Sequence, residues 1–295
     1  MNTINQPRYN LDTCTMLVEF NASVWTARKL DKSTTSEVVA NKNAAAKDAA
    51  RVNKHLLAGR SELDVIQQAV SRARTFVYDN TLPWSDSGLR LLPTINFMKF
   101  TQKMNDFEEE IAALVKSFVA IYPTLITAQA MALGDMFKRD DYPTANEIMT
   151  KFSFRVNYMP VPTSGDIRVD IGNEAQRELQ KKLDELTNER IEAAMRDVRG
   201  RLGEHLKRMS DRLTTDYVQG EAKSRRFHDS LVDGALELCD MTKALNVVND
   251  PDLEQARNKL EKILVGVSPE DLRKNEAVRQ DTKKEVDAIL SKFSF

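Results

Sequence analysis

Between Asn173 and Gln219 the chain carries no proline and a regular row of apolar positions: Ile191, Met195, Val198, Leu202, Leu206, Met209, Leu213 and Tyr217. From Met195 the steps are three, four, four, three, four and four. This eleven-residue rhythm, about 3.67 residues per turn, is close to that of a relaxed α-helix. The spacing predicts one long, nearly straight helix of about 65 Å at 1.5 Å per residue. Its single apolar stripe needs a partner, which makes Leu202, Leu206, Met209, Leu213 and Tyr217 the candidate protein interface. Gly200 and Gly203 each cost about 1 kcal/mol relative to alanine in a helix, so the pair flanking Leu202 is read as a close approach by another backbone.

Elsewhere Phe97, Phe100, Met104, Phe107, Ile111, Leu114, Val115 and Phe118 return every three or four residues, predicting a helix over Thr94–Ile121. Pro123 then begins a separate helix to Phe137. Helices are also predicted over Thr35–Ala58, from Ser61 to about Tyr78, and over Ser224–Leu245. Start signals stand at Ser61 with Asp64, Thr144 with Glu147, Asp250-Pro251 and Ser268-Pro269. Met16–Phe20 opens either a strand or a short helix, and Asp79–Pro93 is a loop pinned by Leu82 and Trp84. Phe152–Tyr158 and Ile167–Ile171 alternate with a period of two around Pro160, Pro162 and Gly165, which predicts a β-hairpin. A lone hairpin is marginal in water, so it must pack on helices or pair with another strand. The expected fold is mostly α: a long helical hairpin or coiled-coil-like bundle with one inserted β-hairpin. The order is an N-terminal helical region (1–150), the hairpin (151–172) and a C-terminal long-helix bundle (173–295).

At 295 residues the chain is long enough to bury a substantial core. Its 10 glycines and 9 prolines are too few for the many tight turns of an all-β fold. The net charge of −1 steers the whole chain toward neither nucleic acid nor membrane. Charge is uneven, however: residues 21–60 carry eight basic side chains against three acidic ones. Lys42, Lys47, Arg51 and Lys54 on a basic N-terminal helix are the candidate nucleic-acid contacts. Cys14 and Cys239 form no disulfide framework or metal knuckle, and no signal-peptide pattern opens the chain; both fit a cytoplasmic protein. Ser117–Gly134 lacks charge over about the length of a membrane span. Pro123, Thr124, Thr127 and Gln129 interrupt it, so a buried helix is expected and no membrane.

Catalytic signatures are weak. His55, His205 and His228 form no helical metal pair. Cys239 and His228 lie eleven residues apart on one predicted helix, about 16 Å by its rise, too far to act as a nucleophile pair. There is no phosphate-binding loop and no nucleophile elbow. Adjacent carboxylates in Glu108-Glu109-Glu110 and Asp140-Asp141 diverge by about 100° on a helix, as a solvated face does. The expectation is a protein without enzymatic activity, cofactor or metal.

Gly165–Asp170, Arg226–Val232, Glu237–Asp240, Leu245–Val247 and Asp250–Leu253 resemble a helical protein family of unknown function from bacteriophages and bacteria. Its members are often encoded near MoxR- or CobS-like AAA+ ATPases and von Willebrand A-domain proteins. The likeness covers the C-terminal half, with Trp25–Leu30 and Leu82-Pro83-Trp84 extending it, and transfers no functional residue. It implies a phage-type cytoplasmic protein accessory to an ATPase machine. The expected function is a non-enzymatic scaffold or adaptor that self-associates or docks on an AAA+ ATPase. Alternatives are a nucleic-acid-binding phage protein using the basic N-terminal helix, and a virion structural component.

Overall fold

The computed structural model describes residues 11–46, 48–162, 173–218, 221–224 and 228–293. It is mostly α with a small antiparallel sheet. A single helical turn, α1 (Leu11–Cys14), leads into strand β1 (Thr15–Ser23), which settles Met16–Phe20 as a strand. Strand β2 (Arg28–Leu30) and helix α2 (Lys32–Asn41) follow. The Asp31 carboxylate accepts the Thr34 N–H at 3.1 Å and so caps α2. The helix expected over Thr35–Ala58 is corrected here. It stops at Asn41, just before Asn43, whose φ of +50° suits asparagine better than most residues. Strand β3 (Asn53–His55) pairs antiparallel with β2, Lys29 facing Lys54.

Helix α3 (Glu62–Asn80) ends where Leu82 begins the short strand β4 (Leu82–Pro83), which pairs with β5 (Leu89–Pro93). The loop expected over Asp79–Pro93 is corrected to the end of α3 and this strand pair, in which Leu82 is buried, with Trp84 buried just after it. Helix α4 (Phe97–Leu133) runs through Pro123, so the two helices expected on either side of that residue are one. Proline leaves the Val119 carbonyl without its usual donor. Phe118, Tyr122, Leu125 and Ile126 nonetheless bury the same face before and after it, so packing outweighs the lost bond. Helix α5 (Ala145–Met149) starts on the expected capping box: Thr144 Oγ1 accepts the Glu147 N–H, and Glu147 accepts the Thr144 N–H at 2.7 Å.

Strand β6 (Ser153–Met159) is the first strand of the expected hairpin. Its described neighbour is β1, at one edge of a sheet ordered β4-β5-β1-β6. The second expected strand, Ile167–Ile171, lies outside the described residues. Helix α6 (Asn173–Leu213) is the long helix. It ends short of Gln219, because Thr214, Thr215, Tyr217 and Val218 favour extended backbone and pass into strands β7 (Thr215–Val218) and β8 (Glu221–Ser224). Tyr217 is therefore a strand residue and not part of the helical stripe. Helices α7 (Ser230–Leu245), α8 (Pro251–Leu264), α9 (Pro269–Lys274) and α10 (Glu276–Lys292) complete the chain. Asp250, Ser268 and Asn275 cap the last three with side-chain oxygens.

The chain divides into two compact units, and the division falls inside β1, α3, α4 and β6. It differs from the serial arrangement 1–150, 151–172, 173–295. The first unit holds the described residues up to Glu19, Val77–Phe100 and the described residues from Asn157 onward. Its core is built on α6: Ile191, Met195, Val198, Leu202, Leu206, Met209 and Leu213 pack with Val232, Ala235 and Leu238 of α7, Leu253, Leu260 and Leu264 of α8, and Val286 and Ile289 of α10. Arg199 and Arg201 flank the stripe. Arg199 donates to the cap carboxylate of Asp250 at 3.0 Å, and Arg201 donates to the carbonyls of Asp79 and Thr81, each at 3.0 Å.

The second unit holds Phe20–Phe76 and Thr101–Val156. Its core gathers Trp25, Leu56, Leu63, Ile66, Phe118, Tyr122, Ile126, Tyr142 and Ile148. The Trp25 ring meets Tyr122 edge-on at 5.7 Å, and the Tyr142 hydroxyl donates to the Leu56 carbonyl at 2.8 Å.

Nothing lies within 4 Å of where a Cβ on Gly200 would sit. The close approach expected at the Gly200 and Gly203 pair is absent at Gly200, where the glycine only adds backbone entropy to the unfolded chain. Gly200→Ala should raise stability by about 1 kcal/mol, and Leu206→Ala, at a fully buried position, should lower it by about 3 kcal/mol. Urea denaturation of the full chain, followed by helical circular dichroism, checks both.

Candidate functional site

The residues expected to meet a partner are occupied within the chain. Leu202, Leu206, Met209 and Leu213 are fully buried in the core of the first unit. With this fold in place no second protein reaches them, so that interface is corrected: α7, α8 and α10 supply the cover that the stripe required.

The basic strip is dispersed in the same way. Lys42 is an exposed residue at the C-terminal cap of α2, and Arg51 is exposed beyond it; Lys47 lies outside the described residues. Lys54 is buried on β3. Its Nζ lies 2.5 Å from Asp141 and 3.7 Å from Asp31, and donates to the Met136 carbonyl at 2.8 Å. A lysine held this way neutralises two carboxylates and contacts no phosphate. Hydrogen bonds from Ser33 and the Thr34 N–H, with the charge of Lys54, hold the Asp31 carboxyl down at about 2. Burial pushes the Asp141 carboxyl upward, but the bond and charge of Lys54, with Lys29, outweigh it and leave it below the ordinary range.

Among the described residues no group of three or more His, Cys, Asp or Glu is placed to hold a metal ion. Cys239 is buried and its thiol is pushed up to about 11 by that burial, which keeps it a protonated packing group. Burial lowers His205, whose Nε2 has no hydrogen-bond partner, and so disfavours its charged form. In the second unit a cleft of about 440 Å³ is lined by Thr26, Arg28, Gln67, Ser71 and Arg74 among others. Arg74 is committed to the Ala22 carbonyl at 2.6 Å.

Among the described residues two exposed apolar faces stand out, one in each unit. In the first unit the leading part of α6, from Glu174 to Glu189, contains no buried residue. Leu179 and Leu186 are each about 40% exposed, with Leu183 half-buried between them. In the second unit α4 buries Phe118, Tyr122, Leu125 and Ile126, and turns Ser117, Ala120, Ile121, Thr124 and Met131 outward without a charge. The stretch Thr94–Met136 is long and apolar enough, by length and composition, to cross a membrane; one face of it packs in the core of the second unit. Reading the sequence missed the α6 leucines because they stand outside the eleven-residue row. Their own spacing of four and three was the available signal. Comparison with protein-family models, with curated proteins and with solved structures finds no match to this chain.

Lys54→Ala should cost about 3 kcal/mol, since it leaves the buried Asp31 without its cation and Asp141 with Lys29 alone. Asp31 is more acidic folded than unfolded, so its contribution is present above its ordinary value of 3.8 and is lost as pH falls toward about 2. Urea midpoints measured across that window should drop in the wild type, and drop less in Asp31→Asn.

Proposed function

We propose that this chain is a non-enzymatic adaptor of phage type that works through protein–protein contacts as an accessory to an AAA+ ATPase. The observation that carries this reading is the pair of exposed apolar faces, the leading part of α6 and the outer face of α4, one on each compact unit. Met131 is 91% exposed and Ile121 42%. Apolar side chains set in an uncharged strip mark a contact surface more readily than scattered ones do. Two such faces on separate units allow one chain to hold two proteins. The resemblance of the C-terminal half to a family encoded beside MoxR- or CobS-like ATPases supports an ATPase as one partner, and α4 is the face assigned to it.

A second reading, nucleic-acid binding in the cytoplasm of the host, draws on charge: Arg28 and Arg74 line the open cleft of the second unit, and Lys42 and Arg51 are exposed. It predicts salt-sensitive retardation of DNA or RNA that Arg28→Glu with Arg51→Glu abolishes. No retardation at low salt sinks it.

For the adaptor, the tagged full chain should retain a AAA+ ATPase from its host, identified by mass spectrometry. Ile121→Glu with Met131→Glu should lose that ATPase while helical circular dichroism stays unchanged. Failure of the wild type to retain any ATPase at low salt refutes the ATPase assignment.

A further inference from the structure

The open part of α6 has the geometry of a pairing seam. At 100° per residue, Leu179, Leu183, Leu186 and Arg190 fall on one narrow face. That face lies roughly 120° around the helix from the buried row of Ile191, Met195, Val198 and Leu202. The leucines are therefore not a frayed continuation of the core stripe, which would have kept its own angle. Steps of four, three and four match the two apolar positions of a coiled-coil heptad. Lys182 and Glu189 occupy the equivalent flanking position one heptad apart, and Gln180 and Thr187 the other.

We propose that this seam binds a second copy of the same chain in antiparallel orientation. The proposal rests on the adaptor reading, and names the occupant of one of its two faces. Charge and packing select the partner and its direction. In the antiparallel register Leu183 of each copy packs against Leu186 of the other, and Leu179 lies along the aliphatic stem of Arg190, whose guanidinium stays over the Trp84 ring of its own chain at 5.4 Å. The same register sets Lys182 beside Glu189 of the second copy, and does so twice by the two-fold axis. Gln180 meets Thr187, polar against polar. A parallel pair would stack Arg190 on Arg190, and would set Lys182 beside Thr187 with no ion pair. Lys182 already contacts Glu178 within its own helix at 2.8 Å, but that pair is exposed and of small worth. The second half of α6 is locked in the core, so the helix is formed before the copies meet and little ordering cost remains. The seam is short, at the low end of specific interface sizes, so pairing depends on concentration.

Light scattering on the full chain at rising concentration should show the mass climbing from 33.5 kDa toward twice that value. Leu183→Glu should hold it at one copy with unchanged helicity. Lys182→Glu should weaken pairing by about tenfold, and adding Glu189→Lys should restore it. In a Cys14→Ser background, mixed Leu183→Cys and Leu186→Cys proteins should cross-link to each other in preference to themselves. A mass that stays at one copy, pairing that survives Leu183→Glu, or preferential cross-links between identical Leu183→Cys chains would each overturn the proposal. A single-copy protein that still retains the ATPase refutes the pairing alone. A paired protein that retains none refutes the ATPase assignment alone.

Discussion

A helix of 41 residues with a greasy stripe is unstable by itself, and the first unit is organised around covering that stripe. Ile191 to Leu213 is the region where cover is complete. Each large aliphatic side chain buried there is worth about 1.5–3 kcal/mol, so the row from α6 and the facing rows from α7, α8 and α10 form the dominant favourable term of the unit. The charged groups follow from that arrangement. Arg199 reaches Asp250 because α8 begins where the stripe needs a lid. The Asp250 carboxylate then serves two purposes, accepting the Asp252 and Leu253 N–H groups of the helix start and neutralising an arginine. Arg257 on α8 is likewise buried between Glu254 and Glu261.

The second unit shows the opposite balance, in which polar pairing is held by an aromatic frame. Trp25 packs on Phe118 and Tyr122 of α4 just before Pro123, and the buried Lys54 sits between Asp31 and Asp141. Desolvating three charges is costly. The cost is met only because each carboxylate has further donors or a second cation, Ser33 and Thr34 at Asp31 and Lys29 at Asp141. Charge that looked like an open basic surface in the sequence is in part an internal brace. The same unit leaves the outer face of α4 bare, and the first unit leaves the leading turns of α6 bare, so these two apolar surfaces lie on helices whose other faces or other halves are firmly held. Such surfaces suit recognition, because the helix bearing them needs no folding on contact.

Local signals were the most legible part of the sequence. Thr144 with Glu147, Asp250-Pro251 and Ser268-Pro269 start helices where expected, since a cap is a contact between residues two or three apart and needs no tertiary information. The buried register of α6 was legible for a similar reason: one row of side chains on one helix has a fixed angle. The end of α6 was not. Tyr217 keeps the helical spacing, but Thr214 and Thr215 favour extended backbone and the β7–β8 pairing takes the segment away from it. The run of Thr35–Ala58 failed likewise, because alanine-rich composition favours helix only until strand β3 finds β2.

The amino-acid order alone determined that the chain is mostly helical, that α6 carries a single stripe, and that Ile191 to Leu213 is buried, because periodicity and burial follow from one element's geometry. Only tertiary structure decided what buries it. Four-residue spacing states that Leu202 and Leu206 need cover, and it is silent on whether the cover is another molecule or the chain's own α7, α8 and α10. The fate of Lys54 is of the same kind: its charge is written in the sequence, and its burial between Asp31 and Asp141, the latter 87 positions away, depends on how distant segments close.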